Sequence, residues 1–182
     1  MVELVVFMTG SLGIILLSRQ SITRPYSHGF PRFFAFEALL GLVVLNARNW
    51  IVRPFSLTQI ISWILLLIAA YLVIHAIRTF RINGAINHNI QDSSRMAWEK
   101  TTQIVTQGPY RFIRHPMYAS LLCLAWGICL KQLNLMSVLL AIVVSMSLFL
   151  TAVYEERENL NLFGDEYAKY MQHTKRFIPF VF

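Results

Sequence analysis

The sequence predicts an all-α, polytopic membrane protein: a helical bundle of about five transmembrane helices followed by a C-terminal amphipathic helix. Of its 182 residues, 56% are hydrophobic and only 14% are charged, whereas a soluble domain carries about 25% charged residues. Most of the apolar residues fall in long runs, for which lipid is the natural surrounding. Length and composition together favour a single membrane domain over residues 1–182.

Five apolar runs define the predicted spans. Four of them approach the roughly 20 residues that a membrane-crossing helix needs. The fourth reaches that length only if its helix begins at the His115–Pro116 step. Lys131 and Gln132 leave room only for a tight turn after it, so the fourth and fifth runs are expected to form an antiparallel hairpin. In order, the runs cover residues 2–18, 33–52, 57–77, 117–130 and 133–153.

The first run begins with Glu3 instead of basic residues, so we expect a retained span and not a signal peptide. A short helix is predicted at residues 95–105, in the polar segment between the third and fourth runs. After the fifth run, apolar and aromatic residues recur at helical spacing, which predicts an amphipathic helix on the membrane surface or against the bundle. These residues are Leu160, Phe163, Tyr167 and Tyr170.

The distribution of positive charge predicts the orientation. If the N-terminus lies outside, most of the 16 Lys and Arg residues fall in cytoplasmic segments, as the positive-inside rule requires. The net charge of +7 then reflects orientation and contact with anionic lipid head groups, and no nucleic-acid partner is expected. Cys123 and Cys129 show no metal-ligand spacing, so no metal site is predicted.

The densest polar signal is the stretch at residues 108–118, Gly-Pro-Tyr-Arg-Phe-Ile-Arg-His-Pro-Met-Tyr. Pro116 suits the first position of a helix, and the free N–H groups of that helix, beside Arg111 and Arg114, would attract a carboxylate or phosphate. Its aromatic rings could hold an adenine ring or a sulfonium. An ordinary basic loop that anchors the span in head groups explains the stretch equally well. The aromatic residues are Tyr110, Phe112 and Tyr118.

A second signal is the acidic pair Glu155–Glu156, expected at the inner end of the fifth span. Acidic groups are unfavourable at a helix C-terminus, so something should compensate them. A bound cation is one candidate, and pairing with Arg157 or with the arginines of the neighbouring loop is the simpler one.

Taken together, these residues resemble the isoprenylcysteine carboxyl methyltransferase superfamily. Residues 108–118 are similar to its signature Gly-x-Tyr-x-x-x-Arg-His-Pro-x-Tyr, and residues 155–179, from Glu-Glu to Arg-Phe-Ile-Pro, are similar to its C-terminal pattern. The resemblance covers about residues 100–182. It implies an integral membrane methyltransferase that uses S-adenosylmethionine, with a cofactor pocket made by the Arg-His-Pro loop, the hairpin and the C-terminal segment.

The resemblance also implies roles for individual residues. Glu155 or Glu156 would meet the ammonium group of the cofactor, while Arg114 and Arg176 would flank the reacting centre or orient the acceptor. An acceptor that carries a proton would also need a base, for which Glu155, Glu156 and His115 are the candidates. The rest of the cofactor pocket would be formed by Tyr110, His115, Pro116 and Tyr118.

The function expected from this reading is methyl transfer to a lipophilic acceptor, either a carboxylate or a lipid head group. Residues 100–182 would form the cofactor-binding core and residues 1–80 the acceptor side, and the site would face the cytoplasm. The segment at residues 78–107 lacks the Leu-Gly-x-x-Trp stretch associated with enzymes that act on prenylated cysteine. A prenylated protein is therefore not assumed as the acceptor.

Two alternatives remain open from the sequence. Sterol reductases have a similar Arg-His-Pro region and use NADPH, although they are usually longer. A non-enzymatic membrane accessory or lipid-binding role is the other. Glu37 and His75 lie within or near spans and could face the site, although a snorkelling or helix-pairing role explains them at least as well. His88 lies in a polar loop, where a solvated histidine is more common than a catalytic one.

Overall fold

The computed structural model describes residues 1–52, 54–84 and 103–180. Within these ranges the chain forms α-helices joined by turns and two short 3₁₀ helices, Ala47–Asn49 and Gly108–Arg111. The prediction of an all-α fold is confirmed. The α-helices are α1 Val2–Ile22, α2 Gly29–Asn46, α3 Leu57–Asn83, α4 Pro116–Cys129, α5 Leu135–Phe163 and α6 Asp165–His173.

Four of these helices, α1, α2, α3 and α5, are long and apolar enough to cross a membrane. Helix α4 is equally apolar but has only 14 residues, which is roughly 21 Å of helix. The five predicted spans thus correspond to four long helices and one shorter one. The chain is a multi-pass membrane protein.

The helices pack in the spatial order α1, α2, α5, α4, α3. Small side chains line the buried faces, which lets the helix backbones approach closely where no water drives their association. Gly127 of α4 shows how close this approach is: a Cβ there would lie 3.0 Å from the Leu66 side chain of α3. The Ser62 hydroxyl of α3 donates a hydrogen bond of 2.6 Å to the Gly127 carbonyl. The core includes Ala35, Ala38, Ala125, Ala141, Val144 and Ala152.

Helix α5 runs to Phe163, well beyond the end predicted at residue 153. Residues 155–162 are mostly polar, but they contain neither glycine nor proline, so the helix continues out of the apolar layer. It stops at Gly164, whose φ of 55° and ψ of −130° suit only glycine. The expectation that Glu155 and Glu156 lie at a helix C-terminus was therefore wrong, because both lie inside α5.

The same glycine divides the predicted amphipathic helix in two. Leu160 and Phe163 belong to the last turns of α5, while Tyr167 and Tyr170 belong to the short helix α6. Residues 103–105, at the end of the helix predicted for residues 95–105, are not helical. The remainder of that prediction lies outside the described residues.

Lys131 closes the end of the bundle where α4 turns into α5. Its Nζ atom lies 3.5 Å from the centre of the Trp63 ring, and it donates a hydrogen bond of 3.0 Å to Gln59 Oε1. The residue is only 6% exposed, and burial lowers the pKa of its ammonium group. The charge is thus held between an indole face and an amide oxygen.

Replacing Lys131 by methionine is expected to destabilise the protein by about 1–3 kcal/mol, because the cation–π contact and the hydrogen bond to Gln59 are lost while the volume is kept. The free energy of unfolding, measured in mixed detergent micelles, tests this expectation. The control is Lys169→Met, the same change at an exposed position on α6, with an expected change within about 0.5 kcal/mol. Equal stability of the two variants would contradict the role of the buried charge.

Candidate active site

The C-terminal segment folds back beside the turn that precedes α4. Ile113 and Lys175 form a parallel β-bridge. The Arg114 amide donates to the Lys175 carbonyl at 2.8 Å, and the His115 amide donates to the Arg176 carbonyl at 3.2 Å. These backbone bonds bring residues 112–115 and 174–176 side by side, next to the C-terminal part of α5.

The turn itself depends on Gly108, the first residue of the 3₁₀ helix. Its φ is 58°, and a Cβ there would lie 2.5 Å from the Thr79 hydroxyl oxygen of α3. Any other residue would meet both backbone strain and a steric clash. Gly108 thereby packs the turn against the end of α3 and positions the residues that follow.

Glu156 is the central anion of the site. Its Oε1 accepts hydrogen bonds from Arg114 Nε at 2.8 Å and from Arg176 Nε at 3.1 Å, and its Oε2 accepts one from Arg176 Nη2 at 2.6 Å. The His115 Nε2 atom lies 3.3 Å from Oε1, outside hydrogen-bonding geometry. Bonding to Glu156 raises the pKa of the Arg176 guanidinium. This carboxylate is therefore saturated by partners from inside the protein.

Arg114 connects this anion to the end of α6. Besides Glu156, its guanidinium donates through Nη1 to the Met171 carbonyl at 3.2 Å and to the Thr174 carbonyl. Its side chain is 9% exposed. One arginine thus ties α5 to the chain that leaves α6, which fixes the position of the C-terminal segment.

Glu155, the neighbouring residue, has a different environment. Its side chain is 25% exposed, against 5% for that of Glu156. The Tyr118 hydroxyl donates a hydrogen bond of 2.6 Å to Glu155 Oε2, and His115 Nδ1 lies 3.7 Å from the same oxygen. The ring of His115 stacks on that of Tyr118 at 5.3 Å. The two glutamates therefore flank His115, and one of them remains accessible.

Glu155 lies in a cavity between the turn before α4, the C-terminal part of α5 and α6. The first residues of α4, Pro116 and Met117, line it as well, and no side chain caps the N-terminus of this helix. Aromatic rings form much of the remaining wall. Its other described lining residues are Phe80, Gln103, Ile104, Val105, Tyr110, Arg114, His115, Tyr118, Asn159, Phe163, Tyr167 and Tyr170.

Two of the tyrosines in this wall are strongly buried, and burial raises the pKa of both Tyr167 and Tyr170. They therefore remain neutral phenols at physiological pH. The Tyr170 hydroxyl donates a hydrogen bond of 2.6 Å to the Tyr110 carbonyl, so α6 is attached to the turn before α4 on this side of the cavity.

The structure brings the two segments singled out in the sequence into direct contact, through Arg114 with Glu156 and Tyr118 with Glu155. Most of the proposed site residues line the cavity: Tyr110, Arg114, His115, Pro116, Tyr118 and Glu155. Glu156 and Arg176 lie behind this wall.

The sequence also singled out three other polar residues, Glu37, His75 and His88. Glu37 and His75 are not among the residues that line it. The Glu37 Oε1 atom is buried in α2 with no hydrogen-bond partner among the described residues. His75 is exposed on α3 and bonds the Tyr71 carbonyl. His88 lies outside the described residues.

Sequence reasoning missed Asn159 and Phe163, which line the cavity one and two turns after Glu155. The spacing of four residues places all three on one face of α5. That pattern was present in the sequence, but it is informative only if the helix continues to residue 163.

A second contact missed from the sequence holds α2 to the same part of α5. Glu158 Oε1 accepts the His28 amide at 3.0 Å, and Glu158 Oε2 lies 2.6 Å from His28 Nδ1. His28 is 1% exposed. The C-terminal part of α5 is thus fixed on one side by the start of α2 and on the other by the C-terminal segment.

Comparison with known proteins gives a consistent picture. A family model described as phospholipid methyltransferase matches residues 57–166, which include the whole of α3, α4 and α5 with the acidic pair. No solved structure matches the chain.

Three curated relatives are similar to the chain. Methanethiol S-methyltransferase 1 of Bradyrhizobium diazoefficiens is 27% identical over 118 residues, 65% of this chain and 39% of that protein. The methanethiol S-methyltransferase of Pseudomonas deceptionensis is 24% identical over 148 residues, 81% of this chain and 50% of that protein. Protein-S-isoprenylcysteine O-methyltransferase B of Arabidopsis thaliana is 30% identical over 135 residues, 74% of this chain and 62% of that protein.

The chain therefore spans between 39% and 62% of the length of these relatives. The resemblance to the isoprenylcysteine carboxyl methyltransferase superfamily, drawn from residues 108–118 and 155–179, is confirmed by the family model and by these proteins. Because the family model covers more than half of the chain, including the helices that build the site, this protein belongs to the phospholipid methyltransferase family.

Proposed function

We propose that the protein transfers a methyl group from S-adenosylmethionine to a lipophilic acceptor within the membrane. The observation that carries this proposal is that the two adjacent glutamates have different surroundings. Glu155 offers a carboxylate to a cavity with aromatic walls, while Glu156 is held behind it by Arg114 and Arg176. The cavity thus contains an anionic group suited to a cationic ligand.

The residues of the cavity fit the parts of S-adenosylmethionine. The uncapped start of α4 presents free N–H groups to an α-carboxylate, and Glu155 presents a carboxylate to the α-ammonium. The rings of Tyr110, Phe163 and Tyr167 offer apolar faces to the adenine and favourable electrostatics to a sulfonium.

When bound, the cofactor would supply an electrophilic methyl group. The work of the protein is then to hold the acceptor atom in line with that group and to exclude water, which is worth several kcal/mol in favourable cases. The walls formed by α4, α5 and α6 surround the reacting region on three sides. His115, between the two glutamates, is the group placed to accept a proton from a thiol or hydroxyl acceptor.

We assign Arg114 and Arg176 positioning roles. Both guanidinium groups are bonded to Glu156, and Arg114 also holds two carbonyls near the end of α6. Orienting an acceptor carboxylate would require Arg114 to give up these bonds. Its contribution to turnover would then come from the geometry of the cavity wall.

The acceptor is proposed to be a lipophilic molecule with a sulfur or oxygen nucleophile, the kinds of group named for the methanethiol and isoprenylcysteine relatives. It would approach from the lipid through the side formed by residues 1–80, while residues 100–182 bind the cofactor. The positive-inside distribution of Lys and Arg favours a cavity that opens to the cytoplasm.

Two measurements on the purified protein test the proposal. Titration calorimetry is expected to detect binding of S-adenosylhomocysteine and no binding of NADPH. Incubation with methyl-labelled S-adenosylmethionine and a native lipid extract is expected to yield one labelled lipophilic product. Binding of NADPH alone would overturn the assignment as a methyltransferase. Binding of S-adenosylhomocysteine without any labelled product in lipid, thiol and prenylcysteine pools would overturn the proposed acceptor class.

A further inference from the structure

We propose that a second site, a basic groove on the outer face of α6, binds the head group of an anionic phospholipid of the bilayer that the protein spans. We call this surface the α6 groove. It lies between α6 and the turn before α4. Its lining includes Arg111, Glu166, Lys169 and His173.

The groove carries an excess of positive charge. Arg111 and Lys169 are both exposed, so their charges are available to a ligand. His173 lies four residues after Lys169, on the same face of α6, and its Nδ1 is engaged with the Lys169 carbonyl at 2.9 Å. Glu166 is the opposing acidic group in the lining. One negative charge faces two permanent positive charges and an imidazole, which favours an anion.

An exposed apolar patch adjoins the groove. The Arg111 guanidinium carbon lies 5.9 Å from the centre of the Phe112 ring, and the Phe112 and Phe180 rings are 6.2 Å apart. Phe112 is 47% exposed and Phe180 is 84% exposed. Ile178, on the same C-terminal segment, is 54% exposed. Arg111 therefore stands at the boundary between a basic groove and a group of exposed apolar side chains.

The position of this patch points to lipid as its partner. Phe112 lies four residues before Pro116, where the apolar helix α4 begins. Aromatic side chains at the ends of membrane helices settle at the level of the head groups, and neighbouring Lys and Arg residues attract anionic lipids there. A phospholipid offers both parts of the required chemistry: a phosphate for the groove and an acyl chain for the rings.

The α6 groove is separate from the cavity proposed for methyl transfer. Tyr170 borders both of them, but Arg111, Lys169 and His173 line only the groove. Lipid binding can consequently be measured without any assumption about the reaction, and its failure would leave the proposed function untouched.

The experiment follows the rise in the thermal unfolding midpoint of the purified protein in dodecyl maltoside on titration with dioctanoylphosphatidylglycerol, since a ligand that binds the folded state stabilises it. Dioctanoylphosphatidylcholine and inorganic phosphate are the comparison ligands. The test variant is Arg111→Gln with Lys169→Gln. The matched control, Arg19→Gln with Arg24→Gln, removes the same charge from exposed positions away from the groove.

Wild-type protein and the matched control are expected to bind the anionic lipid equally, and the groove variant about tenfold more weakly. Lys169→Gln alone should show a smaller loss, which guards against a folding defect in the double variant. If the control pair weakened lipid binding as much as the groove variant, net charge alone would explain the loss, and the proposed site would be overturned. Equal stabilisation by phosphatidylcholine, or by inorganic phosphate alone, would overturn an anionic lipid as the ligand.

Discussion

Replacing Glu156 by glutamine is expected to destabilise the protein by about 3–5 kcal/mol. The substitution removes a carboxylate that binds both Arg114 and Arg176, and an amide group would point donor hydrogens at two cationic groups. The Arg114 side chain is only 9% exposed, so water compensates poorly for the lost partner. A native protein is stable by only about 5–15 kcal/mol. The free energy of unfolding, measured in mixed detergent micelles, should therefore fall by a large fraction.

Glu166→Gln is the matched control for this experiment. It makes the same chemical change at an exposed position on α6, where the expected effect is within about 0.5 kcal/mol. Comparable stabilities for Glu156→Gln and Glu166→Gln would show that the buried cluster does not hold the C-terminal segment in place.

The second large effect is expected from Glu155→Gln, in binding and not in stability. Loss of the carboxylate should weaken the binding of S-adenosylhomocysteine by about 10- to 100-fold, which corresponds to the free energy of one hydrogen bond to a charged group. Among the described residues, Glu155 loses only the bond from Tyr118 and the contact with His115, so the loss of stability should be about 1 kcal/mol. Titration calorimetry measures the affinity, and unfolding measures the stability.

Comparing Glu155→Gln with Glu156→Gln separates a ligand-binding role from a structural one, which the sequence could not assign to either glutamate. The Glu166→Gln protein should again behave as wild type, since Glu166 does not line the cavity. An unchanged affinity for Glu155→Gln would mean that the ammonium group binds elsewhere. A loss of stability in Glu155→Gln as large as that in Glu156→Gln would remove the distinction between a ligand-binding and a structural glutamate.

Much of the bundle could be predicted from hydropathy alone, because each span must satisfy its own backbone hydrogen bonds in lipid. The starts of α3 and α4 follow from local chemistry. Ser56 caps α3 by accepting the Gln59 amide, and Pro116 occupies the first position of α4. The end of α5 did not follow from hydropathy, since a polar sequence carries the helix beyond the apolar layer until Gly164 stops it.

Contacts between distant segments were the least predictable part. The buried cluster joins Arg114, Glu156 and Arg176 from three parts of the chain, and the contact between His28 and Glu158 joins residues 130 positions apart. No periodicity or local motif marks such pairs. The motif at residues 108–118 indicated which residues belong to the site, but it did not indicate which of them face a ligand.

The sequence by itself determined that this protein is an α-helical membrane bundle with its polar chemistry gathered before α4 and after residue 154, because hydrophobic length and residue type are local properties. Only the tertiary structure decided the roles of the two adjacent glutamates. Neighbouring residues on a helix point about 100° apart, so Glu155 reaches the cavity while Glu156 reaches the arginines. Which of the two glutamates faces the cavity depends on where α6 and the C-terminal segment pack. That packing is set by contacts between distant parts of the chain.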